Sequence, residues 1–457
     1  MVKKSKYDFD LIVIGSGAGG STAAVLAARS GISVAIVESD TFGGDAPNYS
    51  DIPLSALLHS SHLYDQARKG TRFGVSSSSL RYNFPTIQNW KNQAVQRTGT
   101  SGNRRFYEEA GIKTFHGFAH FVKPHEISVD NRNITGKQFL IASGATPIIP
   151  DIKNLENVKC LTPRDVLTLI RPPKSLIVVG GGSTGTELAQ FFAELGTKVL
   201  IAEIAPRLLP REDEEVGQLI GQYFNDNYSI KVLTSSRVVA VESSGGVKKV
   251  TFLRGGEEHS LRVDEVLIAT GKNPATDLGL ENAGVKYTKK GITVNDQLLT
   301  TAKHIYAAGD CTGGESSTTK AMYESQIAAN NLTKRSKLSV NYSAIPRVTG
   351  LFPVVASVGI REDDAMKHDL KIRKALAPLN QVSRSNTADF KNGFVKVLTD
   401  YRGKLIGACV VAPEADSIIH ELSLAINQEL SASTLSNLPH AFLSWSEAIR
   451  FACSRLK

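Results

Sequence analysis

An unbroken apolar run from Leu11 to Ile14 stops at Gly15 and gives way to a helix-forming stretch, STAAVLAARSG, that closes at Gly31. A second run, SVAIVE, then ends at Glu38. Apolar residues in succession, without alternation, predict strands buried on both faces, so the local order is strand, glycine turn, helix, strand. The same order returns at SLIVVG, followed by Gly180 to Gly185, the helical stretch TELAQFFAELG and the strand KVLIAE, which ends at Glu203. Further on, KKVTFLR and VDEVLIAT carry alternating β-branched residues and predict strands. From about Asn341 to Lys457, the strand-like GFVKVLT and LIGACVVAP precede helical periodicity in SIIHELSLAINQEL and WSEAIRFACS, which predicts an antiparallel sheet backed by helices. The serines from Ser76 to Ser79 read as a loop between helical stretches.

The two glycine turns carry chemistry. In the first, Gly15 permits a tight turn, Gly17 lets a phosphate approach the backbone, and Gly20 lets helix and strand pack closely. Gly180, Gly182 and Gly185 repeat the spacing. A helix that starts at such a turn presents free amides and the positive end of its dipole to a pyrophosphate. Glu38 stands 23 residues after Gly15 and Glu203 stands 23 after Gly180, each placed to accept ribose hydroxyls. Two complete copies with equal offsets predict two dinucleotide sites. A carboxylate at Glu203 repels a 2′-phosphate, and Arg207 is the one cation in the next few residues, so the second site favours a dinucleotide without that phosphate; were it a nicotinamide nucleotide, NADH would come first and NADPH second.

Composition adds limits. A chain of 457 residues is about three domains' worth if a domain takes about 150 residues, and 41% hydrophobic against 21% charged residues describes a folding globular chain. The net charge of +9 is dispersed; groups such as Lys3, Lys4 and Lys6, or Lys334, Arg335 and Lys337, are short and lack interleaved aromatics, which excludes a nucleic-acid footprint. Cys160, Cys311, Cys409 and Cys453 stand far apart, which argues against both a disulfide framework and a metal site. With acids ahead of the first apolar run and no stretch of about 18 to 20 apolar residues, the expected location is cytoplasmic with no membrane span.

Together with the two turns, the segments IASGATP (from Ile141), ATGKNP (from Ala269), IYAAGD (ending at Asp310), AIPRVTGLFPVVASVG (from Ala344) and SWSEA (from Ser444) make the chain resemble the flavin-dependent pyridine nucleotide-disulfide oxidoreductases, the family of dihydrolipoamide dehydrogenase, glutathione reductase and mercuric reductase. The resemblance runs end to end. It implies an α/β fold of two Rossmann-like dinucleotide-binding domains plus a C-terminal α+β dimerisation domain, with residues 1–150 and 276–338 binding FAD, 151–275 binding NAD(P)H and 339–457 forming a homodimer. It further implies that Glu38 holds the FAD adenosine ribose and Asp310 the ribitol chain, and that Gly44, Asp45, Ser143, Gly144 and Gly271 line the cofactors. Asp310 also reads as a cap for the helix that follows it.

The same resemblance exposes departures. The family's redox cysteines belong to a G-G-x-C-x-x-x-x-C-x-P-x-K stretch, which here runs from Gly43 to Ser55 and is held in register by Gly43, Gly44, Asn48 and Pro53. Ala46 replaces the interchange thiol, Asp51 the flavin-facing thiol and Ser55 the lysine, while the lysine's partner remains as Glu187. The C-terminal His-Glu pair becomes Phe442 with Glu447, and His440 lies two residues off. Asp45 stands where the family often has a hydroxyl near the FAD phosphates, so it repels them unless it caps the next helix and turns away.

Without a thiolate or a positioned base, thiol exchange is excluded. The expected activity is an NAD(P)H oxidase or diaphorase in which FAD passes electrons directly to a small acceptor, oxygen first. The alternatives are an NADH:quinone or electron-transfer flavoprotein and a non-catalytic FAD/NADH-binding sensor or scaffold. An ionised Asp51 and the loss of the lysine at Ser55 make the flavin a stronger donor; a buried, protonated Asp51 would not. At about 4 Å and an effective dielectric of about 20, one charge is worth about 4 kcal/mol, and a quarter of that lowers a two-electron potential by about 20 mV.

Overall fold

A computed structural model describes residues 6–76 and 78–456. Lys3, Lys4 and one residue of the serine run therefore lie outside the described residues. The chain gathers into two units, one made of the residues up to Ala56 with Asn89–Ile148 and Gly271–Asn341, the other of Leu57–Gln88, Ile149–Thr270 and the residues from Tyr342 onward.

The first unit is built on a seven-stranded sheet. Strand Phe9–Ile14 pairs in parallel with Val34–Glu38 on one side and with Arg132–Ile141 on the other, and Ile305–Ala307 extends the parallel part. Ala119–Lys123, Glu126–Val129 and the start of Arg132–Ile141 form an antiparallel meander. The apolar run is double-sided, as its lack of alternation predicts. Ile12 and Ile14 pack with Phe121, Phe139 and Ile305, while Leu11 and Val13 pack with the alanines of the first helix and with Ala328 and Leu332 of helix Thr318–Thr333. The first helix runs Ala18–Arg29, three residues earlier at its start than the residue pattern alone suggests, because Gly19 and Gly20 are buried within it.

In the second unit a parallel four-stranded sheet has Lys198–Ala202 and Ser175–Val179 at its centre, with Lys231–Leu233 and Glu265–Ile268 outside. Val247–Arg254 is the middle of a three-stranded antiparallel sheet. The C-terminal expectation is met by a five-stranded antiparallel sheet whose central strands are Val354–Gly359, Leu405–Ala412 and Phe394–Asp400. Helix Ala415–Asn427 packs on the first two of these, and helix Glu447–Ser454 packs on the third. Among the described residues no helix is long and apolar enough to cross a membrane.

Candidate active site

The two glycine turns have one geometry. Gly15 has φ +99° and Gly180 φ +111°; a Cβ at these positions would lie 2.2 Å from the Ala142 carbonyl oxygen and 2.4 Å from that of Ala269. Each turn is thus packed against one of the two loop segments, IASGATP and ATGKNP. The last glycines of the sets are equally constrained, since a Cβ on Gly20 or Gly185 would lie 2.0 or 2.1 Å from the carbonyl oxygen of Gly15 or Gly180. The middle ones are different. A Cβ on Gly182 would meet nothing within 4 Å, and one on Gly17 would meet only the Gly44 Cα, at 3.7 Å. Neither helix N-terminus has a side-chain cap. The protein's own packing therefore does not require glycine at these two positions, and the open space before each uncapped helix is a cradle for an anion.

Both strand-end acids are held at the mouths of these cradles. Glu38 accepts the Ser16 amide at 2.9 Å and the Ser16 hydroxyl at 2.7 Å through Oε2, and the Asp40 amide at 2.9 Å through Oε1. Glu203 repeats this, accepting from the Gly181 amide and, at 2.7 Å, from the Ala205 amide. Arg207 is engaged elsewhere. Its guanidinium pairs with Asp363 and donates to the Glu212 carbonyl at 3.4 Å. Next to Asp363 in the chain, Glu362 lies 2.6 Å from the buried ammonium of Lys396, itself bonded to Asp213 and Glu215.

In the first unit, Asp45 opens the helical turn Asp45–Asn48, which Gly44 precedes. The Asp45 carboxylate pairs with a distant lysine: its Oδ2 lies 2.5 Å from Lys272 Nζ. Asp310 opens the turn Asp310–Thr312 and accepts from the Ser317 backbone and the Ser316 side chain. Helix Thr318–Thr333 takes its cap from Ser317, so Asp310 supports that cap rather than forming it. Burial raises the Asp310 carboxyl above its ordinary range, against the pull of Lys272 and Lys320. Ser143 donates to the Ala275 carbonyl at 2.7 Å, the Ala275 amide reaches Gly144, and Gly271 accepts from Ile148, so these three candidates share one crossing of antiparallel strands.

Asp51 is the first residue of helix Asp51–Lys69, with Ser55 one turn on and Ala46 half-buried ahead of it. Its Oδ2 accepts from Thr318 Oγ1 at 2.5 Å, at the start of helix Thr318–Thr333. A carboxylate at the N-termini of two helices faces the positive end of both dipoles. Asp51 is exposed in the single chain, where solvent screens a charge.

In the second unit, Glu187 Oε1 accepts the Gly350 amide at 2.6 Å. Phe442 is 74% exposed. Glu447 is buried and accepts the Leu443 amide at 3.1 Å, while His440 faces Glu421 at 3.0 Å.

Residues 9–325 match the model of the pyridine nucleotide-disulphide oxidoreductases, and residues 345–453 match the dimerisation domain of the same enzymes. The chain belongs to that family. It is 32% identical to a mercuric reductase of Staphylococcus aureus over 448 residues, covering 97% of this chain and 82% of that protein. It is 34% identical to a dihydrolipoyl dehydrogenase of Bacillus subtilis, over 94% of this chain and 93% of the other. Among solved structures, LpdA of Mycobacterium tuberculosis superposes with a TM-score of 0.87 at 26% identity, over 98% of this chain and 99% of that one. The Cu(II) complex of RclA, a HOCl-induced flavoprotein disulfide reductase of Escherichia coli, superposes at 0.86 with 26% identity, over 99% and 100% of the two chains.

Members of this oxidoreductase family are enzymes that use FAD and NAD(P)H, and the dimerisation domain supports a homodimer. The cradle at Gly17, closed on its far side by Gly44 and flanked by Glu38, fits the pyrophosphate and ribose of a dinucleotide; the Gly182 cradle with Glu203 fits a second one. All four cysteines are free, and burial raises every one of them, Cys311 and Cys453 to about 12. Such thiols are not thiolates at neutral pH. Sequence reasoning missed Lys272, Thr318 and Asp363. Lys272 stands inside a quoted motif, but nothing in spacing ties it to a carboxylate 227 residues earlier.

Proposed function

We propose that this oxidoreductase passes electrons from NADH through FAD directly to a small acceptor, with oxygen the first choice and no thiol relay. The observation that carries the reading is the pair of non-thiol side chains, Ala46 and Asp51, in the family's redox stretch, together with four cysteines that burial keeps protonated. Bound FAD would supply the hydride-accepting and electron-releasing chemistry. The first fingerprint would hold it: Gly17 leaves space for the pyrophosphate, Glu38 would receive the ribose, and Asp310, steadied by Ser316 and Ser317, would receive the ribitol. Ala46 and Ser55 are smaller than the side chains they replace and leave room for an acceptor, and Asp51 is steadied by Thr318. NADH turnover in air should exceed that of free FAD and should be unaffected by thiol-alkylating reagents. Turnover abolished by alkylation would sink the direct-transfer reading.

NADH is preferred over NADPH because Glu203 repels a 2′-phosphate and Asp363 withholds Arg207 from it. Asp363→Asn should release the guanidinium and raise the NADPH to NADH ratio of kcat/KM by about tenfold, as one new charge-assisted contact to phosphate would. Stopped-flow reduction with each nucleotide measures this. An unchanged ratio would place Arg207 away from the ribose.

A further inference from the structure

We propose that Lys272 is a charge-compensating anchor of the FAD site, one that cancels Asp45 so that an anionic cofactor can enter the Gly17 cradle. The proposal rests on the assignment of FAD to the first fingerprint. Gly44 and Gly17 are in close backbone contact: a Cβ on Gly44 would lie 2.5 Å from the Gly17 Cα. Asp45 follows Gly44 directly, so a carboxylate is attached to the residue that closes the far side of the cradle. The spacing between such neighbours falls within a Debye length of about 8 Å at physiological ionic strength, so salt does not remove the repulsion between that carboxylate and a pyrophosphate.

Lys272 meets the need. Its ammonium lies 2.5 Å from Asp45 Oδ2, and its backbone is fixed by the antiparallel pairing of Lys272–Pro274 with Ala145–Pro147. The same ammonium acts on Asp310, whose carboxyl burial has already raised. One lysine thus faces two acids of the first unit, and the Asp45–Lys272 pair presents no net charge to the cradle. Both side chains are about one-third exposed, 34% and 35%, so the pair is a local neutraliser rather than a source of fold stability.

The test is reconstitution of apoprotein with FAD, followed by flavin fluorescence, for wild type, Lys272→Met, Asp45→Asn and the double variant. Thermal denaturation of each apoprotein checks folding separately. Lys272→Met should weaken FAD binding by about tenfold, the size expected of one uncompensated charge beside an anion. Asp45→Asn should bind FAD as tightly as wild type or more tightly, and the double variant should return close to wild type. Three results overturn the proposal: undiminished binding in Lys272→Met, a double variant as weak as Lys272→Met, or weakened binding in Asp45→Asn. A wild-type chain that takes up no FAD would instead overturn the assignment of the first fingerprint, whatever the variants do.

Discussion

Gly17→Val should purify folded and colourless, while Gly182→Val should purify yellow and resist reduction by NADH. The contrast follows from space. Neither position is crowded by protein atoms, since a Cβ on Gly17 would meet only the Gly44 Cα at 3.7 Å and one on Gly182 would meet nothing within 4 Å. A side chain there fills the cradle without disturbing the strand or the helix, so the loss falls on the ligand. Gly20→Val or Gly185→Val would be a poor test, because a Cβ would collide with a backbone carbonyl at about 2 Å and the fold itself would suffer. Gly17→Val should also lose the stabilisation that a tightly bound cofactor contributes, about 4 kcal/mol at a 1,000-fold excess over Kd. Absorbance at the flavin band, circular dichroism and thermal denaturation read these outcomes together. Normal flavin content in Gly17→Val would remove FAD from the first fingerprint. Normal NADH reduction in Gly182→Val would do the same for the nicotinamide nucleotide and the second.

Anaerobic titration with NADH should end at two electrons per FAD, and air should then restore the oxidised spectrum. A chain with an active-site dithiol stores a second pair of electrons; this one has Ala46 and Asp51 at those positions, and burial holds its four thiols in the protonated form. Building the pair back as Ala46→Cys with Asp51→Cys should raise the uptake to four, whereas Asp51→Cys alone should leave it at two. Asp51→Asn should slow reoxidation by about twofold only, because the carboxylate is exposed and solvent screens it. Uptake of four electrons by the wild-type protein would falsify the missing-relay reading. Reduced protein that is stable in air would redirect the search toward a quinone or a protein acceptor.

Much of this was legible in the residues. Leu11 to Ile14 lacks alternation because both faces of its strand are covered, and that local property needs no knowledge of what covers them. The glycine spacing is legible for the same reason: a turn that must pass a strand into a helix within a few residues admits no side chain at Gly15 or Gly180. The loss of the thiol pair is a matter of identity at Ala46 and Asp51, and identity is what a sequence states most directly.

What the sequence left open concerns charge. Asp45 reads as an obstacle until Lys272 is found beside it; Arg207 reads as a free cation until Asp363 is found on its guanidinium; Asp51 reads as an acid without a partner until its bond from Thr318 is seen. Each partner is distant in the chain, by as much as 267 residues for Asp51 and Thr318. Strand and helix are written in near-neighbour periodicity, so the residues by themselves determined the two dinucleotide turns, the sheet classes and the non-cysteine side chains at Ala46 and Asp51. A Coulomb interaction depends on distance in space and on burial, neither of which spacing along the chain encodes, so only the tertiary structure decided which charges at the site are compensated.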